Sequence, residues 1–287
     1  MIQKIAFIGI TGNLAPFTYN ELLKKGIYIK ALVRNPDKVK NNSEFPKEIE
    51  VLKGDLQNLE SLRNLFSDVD AIYLNLSTTD ANATFQPEVH GIQNVIKIAK
   101  EKAIKRIFHV SAITVVYPEF AQGGDLFINS FRKKGYQLLK ESNIPVTFFH
   151  CSWIMDVMEY AMHKDNKLQG FKSLHHPFFW LAGKDLGKMI SNAVMNSDHE
   201  LTKDYIMQGK NAITFKEALE RYAQTFTPQL KVELAPIWLL KGIGMFNREA
   251  KKAGQIAHFF SNYKEEFKAG ATWLELGEPQ LTIENFR

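Results

Sequence analysis

The chain has 287 residues, enough to bury a large core in one sizeable domain or two small ones. With 45% apolar and 23% charged residues it is not a disordered chain. Its net charge of +5 is mild and forms no basic block longer than "RKKG" at 132–135 or "REAKK" at 248–252, which suits anionic small ligands and excludes a nucleic-acid footprint.

The first half alternates short apolar runs with amphipathic stretches. Strands are predicted at 4–10, 28–34, 49–55, 71–77, 106–112 and 145–151. Helices are predicted at 16–26, 58–68, 87–103 and 129–143. The strands are continuous apolar runs, as in parallel strands covered on both faces. The repeated strand–helix–strand rhythm predicts an α/β fold with right-handed crossovers and a doubly wound parallel sheet. After about residue 155 the rhythm breaks. Helices are predicted at 182–196 and 214–226, strands at 203–209 and 230–236, and helix for most of the rest. The expected organisation is a core of residues 1–155 and a smaller, mostly helical C-terminal lobe of 156–287. The strand near 203–209 returns to the core, so the two parts interleave.

The first strand runs into "FIGITGNLAP", residues 7–16. Gly9 permits a tight turn, and Gly12 lets backbone N–H groups approach a pyrophosphate. Thr11, Asn13 and Leu14 complete the loop, and the helix that follows supplies donors and a partial positive charge. The next position in such a pattern needs only a small side chain, which Ala15 provides, and Pro16 costs little in a first helical turn. The strand–loop–helix context favours this reading over a glycine turn that binds nothing.

The second strand ends "LVRNPDK". An NAD site carries an acid about 20 residues past the glycines, on the ribose 2′-hydroxyl. Here the position belongs to Arg34, with Lys38 a turn later. A guanidinium suits a 2′-phosphate, so NADP(H) is expected over NAD(H). The alternative is a surface arginine at a strand end. Asp55, followed by Leu56 at the end of the third strand, can accept from the adenine amino group, cap the next helix, or do both.

On Gly9–Thr11–Gly12, Arg34–Asn35–Pro36, Gly54–Asp55–Leu56, "ESNIPVTFFHCSWIMD" (141–156) and "YIMQGKNAITFKEALE" (205–220), most of the chain resembles the NmrA-like, atypical branch of the short-chain dehydrogenase/reductase superfamily. The resemblance implies a Rossmann fold, with Leu76, Ser77 and Thr78 beside the adenosine ribose and Ser111 near the nicotinamide. It aligns Gly135 with the family's glycine and Arg132 with the lysine that catalytic members hold near the nicotinamide ribose. An arginine, with a pKa above about 12, cannot act as an ordinary general acid, though it can hold a ribose or a substrate anion. Tyr136 and Lys140 spell the superfamily's Tyr-x-x-x-Lys pair one turn too late. The matching place, 128–132, has no tyrosine, and an i, i+4 pair on an ordinary helix is the blander reading.

Tyr117, after Ser111, is expected to assist any proton step, unless water does. His150 ends the sixth strand, and His109 reads as a core residue. No third ligand accompanies His175 and His176, so no metal is expected. The stretch 171–181, with Phe171, Phe178, Phe179 and Trp180, reads either as an aromatic wall at the nicotinamide end or as the core of the second lobe.

Two functions compete. One is an NADPH-dependent oxidoreductase acting on a small electrophile such as a quinone. The other is a non-catalytic NADP(H) sensor of the NmrA type that acts on a regulatory protein partner. Sugar-nucleotide epimerisation is a distant third, because it needs the missing tyrosine. With Cys151 alone there is no intrachain disulfide, and a reducing, cytoplasmic home is expected. The N-terminus lacks the pattern of a secretory leader, no run approaches the roughly 18 apolar residues of a membrane span, and neither membrane nor nucleic acid is an expected partner.

Overall fold

Residues 4–8 bury every side chain but the first and form β1 (Lys4–Ile8). The structure is a computed structural model and describes residues 2–78, 80–121, 126–172, 174–196, 200–243 and 247–287. From β1 the chain continues through α1 (Ala15–Lys24), β2 (Tyr28–Val33), α2 (Asp37–Lys40), β3 (Glu50–Lys53), α3 (Leu59–Leu65) and β4 (Ala71–Leu74). A π-helical turn, Pro87–Gly91, leads into α4 (Ile92–Glu101). Then come β5 (Arg106–Ala112), α5 (Phe127–Lys140), β6 (Val146–Cys151), β7 (His163–Lys164), β8 (Lys167–Phe171), β9 (Pro177–Phe179), α6 (Gly183–Asn196) and β10 (Lys203–Met207). The last elements are β11 (Ala212–Thr214), α7 (Phe215–Gln224), β12 (Lys231–Ala235), α8 (Ile237–Ile243), α9 (Arg248–Ser261) and α10 (Gly270–Leu276).

Seven strands form one parallel sheet in the order β10-β6-β5-β4-β1-β2-β3, flanked by helices. Ile8 stands opposite Leu32 on one side and Leu74 on the other. The strand order reverses between β1 and β4, and a sheet of this kind binds ligands outside the carboxyl ends of its strands at that point. The predicted doubly wound parallel sheet is therefore present. One polar role moves: the side chain capping α3 is Asn58, which accepts from the backbone N–H groups of Glu60 and Ser61 at 2.9 and 3.1 Å, and not Asp55.

The chain divides into two compact units. The first comprises Met1–Val115, Phe127–His150 and Leu186–Tyr205, and the second Val116–Leu126, Cys151–Asp185 and Ile206–Arg287. In the first unit, Leu62, Leu65, Ile92, Val95, Ile98 and Ala99 from α3 and α4 pack on Ala6, Ile72 and Ile107 of the sheet. Arg106 is also buried there, held by Thr147 Oγ1 and the Leu201 carbonyl.

The second unit holds two small sheets besides its helices: β9 with β11, and β12-β8-β7. Of these five strands the sequence pattern anticipates only β12. The β7–β8 hairpin turns through Asp165 and Asn166, both at positive φ (50° and 58°), a backbone that short polar side chains tolerate. Trp153 centres an aromatic cluster, with Phe178, Trp180, Phe215 and Phe260 at 4.6 to 5.5 Å between ring centroids. Phe178 and Trp180 are buried in it, which favours the core reading of 171–181 over an open wall. Among the described residues no helix is long and apolar enough to cross a membrane, and no three His, Cys, Asp or Glu side chains gather as a metal site.

Glu265 ties this second unit together. Its carboxylate accepts from Ser152 Oγ at 2.8 Å and Gln208 Nε2 at 2.6 Å. Burial outweighs these bonds and pushes its pKa up to about 7. The folded chain therefore keeps a proton that the unfolded chain releases near pH 4.5, so stability falls as pH rises through this window. The full loss, reached above pH 7, is about 3 kcal/mol. Glu265→Gln should flatten the decline, and chemical denaturation at pH 5 and pH 8 checks this: the variant should match or exceed the parent at pH 8 but not at pH 5.

Candidate functional site

The turn after β1 is built on a close approach. Gly9 has φ +87°, and a Cβ there would lie 2.0 Å from the carbonyl oxygen of Asn75, just past β4. Gly12 N donates to Gly9 O at 3.1 Å, and Asn75 N to Ile8 O at 3.0 Å. The loop then enters α1 at Leu14 with no side-chain cap, so the first N–H groups of a helix with Pro in its first turn lack a side-chain acceptor. Such an end suits an anion. Ala15 is fully buried, as a small residue at this position should be.

Beside the loop lies a cleft of about 530 Å³, entirely within the first unit. Gly9, Thr11, Arg34, Asp55, Leu56, Asn75, Leu76 and Ser77 line it, so eight residues from four separate loops meet. Arg34 is exposed and pairs with no carboxylate among the described residues. Lys38 is exposed too, but it does not line the cleft; nor do Gly12, Asn13 and Leu14, which stay in the loop and helix start. Asp55 Oδ1 accepts from Gln57 N at 2.8 Å, which shapes its own turn.

Thr78, at the end of this edge, is buried, and its N–H donates to Glu88 Oε2 at 2.9 Å. The other oxygen of Glu88 accepts from Arg132 Nε at 3.2 Å. Glu88 is only 2% exposed, so it is a buried carboxylate linking the β4 edge to α5. Gly135 lets α5 come this close: a Cβ there would lie 2.3 Å from the Glu88 carbonyl. Arg132 is thus a fixed cation whose charge is balanced from behind. Ser111, in β5, is buried with an unpaired Oγ. Nearby in the chain, Thr114 Oγ1 donates to Asn129 Oδ1 at 3.2 Å, leaving Asn129 Nδ2 unpaired.

Gln86, which lines the cleft, keeps its buried Oε1 without a partner, a group that a polar ligand there would satisfy; Thr78 Oγ1 and Ser111 Oγ are likewise unpartnered, but Thr78, Ser111 and Arg132 lie outside the cleft lining. The Gly9 cradle, the uncapped helix end and this open acceptor fit a dinucleotide.

The Tyr136–Lys140 pair is engaged elsewhere. Tyr136 Oη donates to Asp204 at 3.3 Å and accepts from Lys140 Nζ at 3.2 Å. Burial pushes the Tyr136 pKa up, the reverse of what a catalytic tyrosine needs. His150 is fully buried, and its Nε2 pairs with Asp204 at 2.7 Å. His109 is core, as its sequence context predicts, although its Nδ1 has no partner. Burial first, then the charge of His150, pushes His109 down to about 3, so it is neutral at neutral pH. Tyr117 belongs to the second unit, stacked on Phe120 at 5.1 Å with Lys268 Nζ 5.7 Å from its ring.

Asn75, Gln86, Glu88 and Asn129 are absent from the residues picked out by sequence. Glu88 had a signal: it shares a helical stripe with Ile92, Val95 and Ala99, all buried, and an acid on an apolar stripe calls for a buried partner.

A Rossmann sheet with a glycine loop facing its switch point defines a dinucleotide-binding α/β protein. The chain belongs to the NAD(P)H-binding family, whose sequence model matches residues 9–173, more than half of the chain. It is 34% identical over 122 residues to cinnamoyl-CoA reductase 1 of Petunia hybrida, a match spanning 40% of this chain and 37% of that protein. Among solved structures it resembles a nucleoside-diphosphate-sugar epimerase from Staphylococcus aureus, at TM-score 0.75 and 16% identity over 99% of each chain. It also resembles an NADPH-dependent quinone oxidoreductase from Escherichia coli, solved with NADPH, at TM-score 0.72 and 20% identity over 98% of this chain and 97% of that one. At these identities the structures share the fold.

Gly9→Ala should abolish dinucleotide binding, because the new Cβ cannot share space with the Asn75 carbonyl. The same change should cost about 1–3 kcal/mol of stability from the strained φ alone. A dinucleotide titration and a urea melt of the variant check both; unimpaired binding would contradict the cradle.

Proposed function

We propose that the chain is an NADPH-dependent reductase of a small electrophile such as a quinone. The observation that carries this reading is Arg34, exposed on the wall of the cleft and paired with no carboxylate among the described residues, where an NAD site would hold an acid. A guanidinium there gains charge-assisted, bidentate bonds to a 2′-phosphate and only a single weaker bond to a hydroxyl. The NADPH complex of the quinone oxidoreductase and the reductase among the sequence relatives support the same cofactor and chemistry.

In this reading the Gly9–Leu14 loop and the start of α1 hold the pyrophosphate, Arg34 with Lys38 the 2′-phosphate, Asp55 and Leu56 the adenine side, and Leu76, Ser77 and Thr78 the adenosine ribose. Reduced nicotinamide supplies a hydride when bound. Ser111 Oγ gives a hydrogen bond at that end. Arg132, fixed by Glu88, holds the ribose and stabilises negative charge developing on the acceptor without losing its own proton. A quinone suits this site, since its reduced oxygens can take protons from water. One cysteine fits a reducing, cytoplasmic compartment.

A second reading, a non-catalytic NADP(H) sensor acting on a protein partner, draws on the engaged Tyr136 and the balanced Arg132, neither of which is a conventional proton donor here. NADPH oxidation followed at 340 nm with a simple quinone separates the two. The reductase reading expects saturable turnover that Arg132→Met lowers about ten-fold or more. Tight NADPH binding without turnover on any quinone tested would overturn it in favour of the sensor.

A further inference from the structure

Between β4 and the π-helical turn, residues 80–86 form a loop on the wall of the cleft, where Asp80, Ala83, Thr84, Phe85 and Gln86 all line it. One side chain organises this loop. Gln86 Nε2 lies 3.1 Å from the carbonyl of Asp80, 3.1 Å from that of Ala81 and 2.8 Å from that of Ala83. Its backbone N–H donates to His90 Nδ1 at 3.0 Å.

These contacts settle the orientation of the amide. Three acceptors surround one end, so that end is the NH₂ group, and a flip would set the oxygen against three carbonyls. The other end, Oε1, is therefore an acceptor only. It is buried on a residue 5% exposed, and no hydrogen bond reaches it. A buried amide oxygen left bare costs free energy unless a donor arrives from outside the chain.

The position limits what that donor can be. The same cleft carries Arg34 at the end of β2 and Asp55 past β3, the side of the switch point where the adenosine half of a dinucleotide lies. On the dinucleotide reading proposed above, on which this inference rests, the donors at that side are the ribose hydroxyls, assigned above to the Leu76–Thr78 edge, and the amino group of the base. We infer that Gln86 reads the base: its Oε1 accepts from the adenine 6-amino group. A 6-oxo purine in the same place would set its oxygen against Oε1, two acceptors with no proton between them. Asp55 is less suited to this discrimination, since its carboxylate is only half-buried and one oxygen already holds Gln57 N.

The test compares two probes, NADPH and its hypoxanthine analogue, by direct binding calorimetry on the full chain. Wild type should bind the adenine form about ten-fold more tightly. Gln86→Met keeps the bulk and removes the acceptor. It should bring the two affinities within about two-fold of each other, even if loosening the loop weakens both, whereas Asp55→Ala should keep most of the preference. Equal affinities in wild type overturn the inference, as does a preference that survives in Gln86→Met or vanishes in Asp55→Ala. If Gln86→Met does not fold, the wild-type ratio with the Asp55→Ala ratio still decides. Absence of binding by either probe would instead overturn the dinucleotide reading itself.

Discussion

Between the turn after β1 and the end of β4 there is room for a glycine hydrogen and for nothing larger, since a Cβ on Gly9 would meet the Asn75 carbonyl at 2.0 Å. That approach aims the loop past the carboxyl end of the sheet, and the start of α1 that follows has no side-chain cap. The parallel register sets it up. Ile8 sits between Leu32 and Leu74, so β1, β2 and β4 end close together, and the loops that follow them share one space. Glycine, Arg34 and the Asn75–Ser77 edge meet because the sheet brings their strands to the same finish line, not because they are near in sequence.

The second support is a buried charge. Glu88 spans the distance from Thr78 N to Arg132 Nε and is 2% exposed. A carboxylate so placed is costly unless both its oxygens are used, and here both are. The consequence is functional as well as structural. An arginine held through Nε has a fixed plane and a fixed charge, so it can orient and stabilise but cannot shuttle protons. This is why the chemistry argued for is one in which the protein supplies position and electrostatics.

Much of this was legible in the sequence because the signals are local. The glycine loop, the continuous apolar strands and Arg34 at a strand end each lie within a few residues and have a physical meaning on their own. Element ends differ by a few residues, as at 4–10 against Lys4–Ile8, because polar strand ends carry no periodicity. The small sheets of the second unit were not legible, since strands as short as His163–Lys164 or Pro177–Phe179 show no alternation, although Asp165–Asn166 is a turn pair that reads as a hairpin in hindsight. The Gln86 loop and the Glu88 link were missed for another reason. Their partners are three backbone carbonyls in one case and a helix 44 residues away in the other, and neither leaves a motif. The helix cap at Asn58, three residues past Asp55, does carry a local signal, an asparagine directly before an amphipathic run.

The central claim is that this cleft is shaped and charged for a phosphorylated dinucleotide. The measurement that tests it most directly is a fluorescence titration with NADPH and with NADH, on wild type and on Arg34→Ala. The account predicts NADPH binding about ten-fold or more tighter than NADH, with Arg34→Ala losing that advantage and leaving NADH affinity nearly unchanged. Equal affinity for the two in wild type, or an Arg34→Ala variant that keeps the preference, would contradict it.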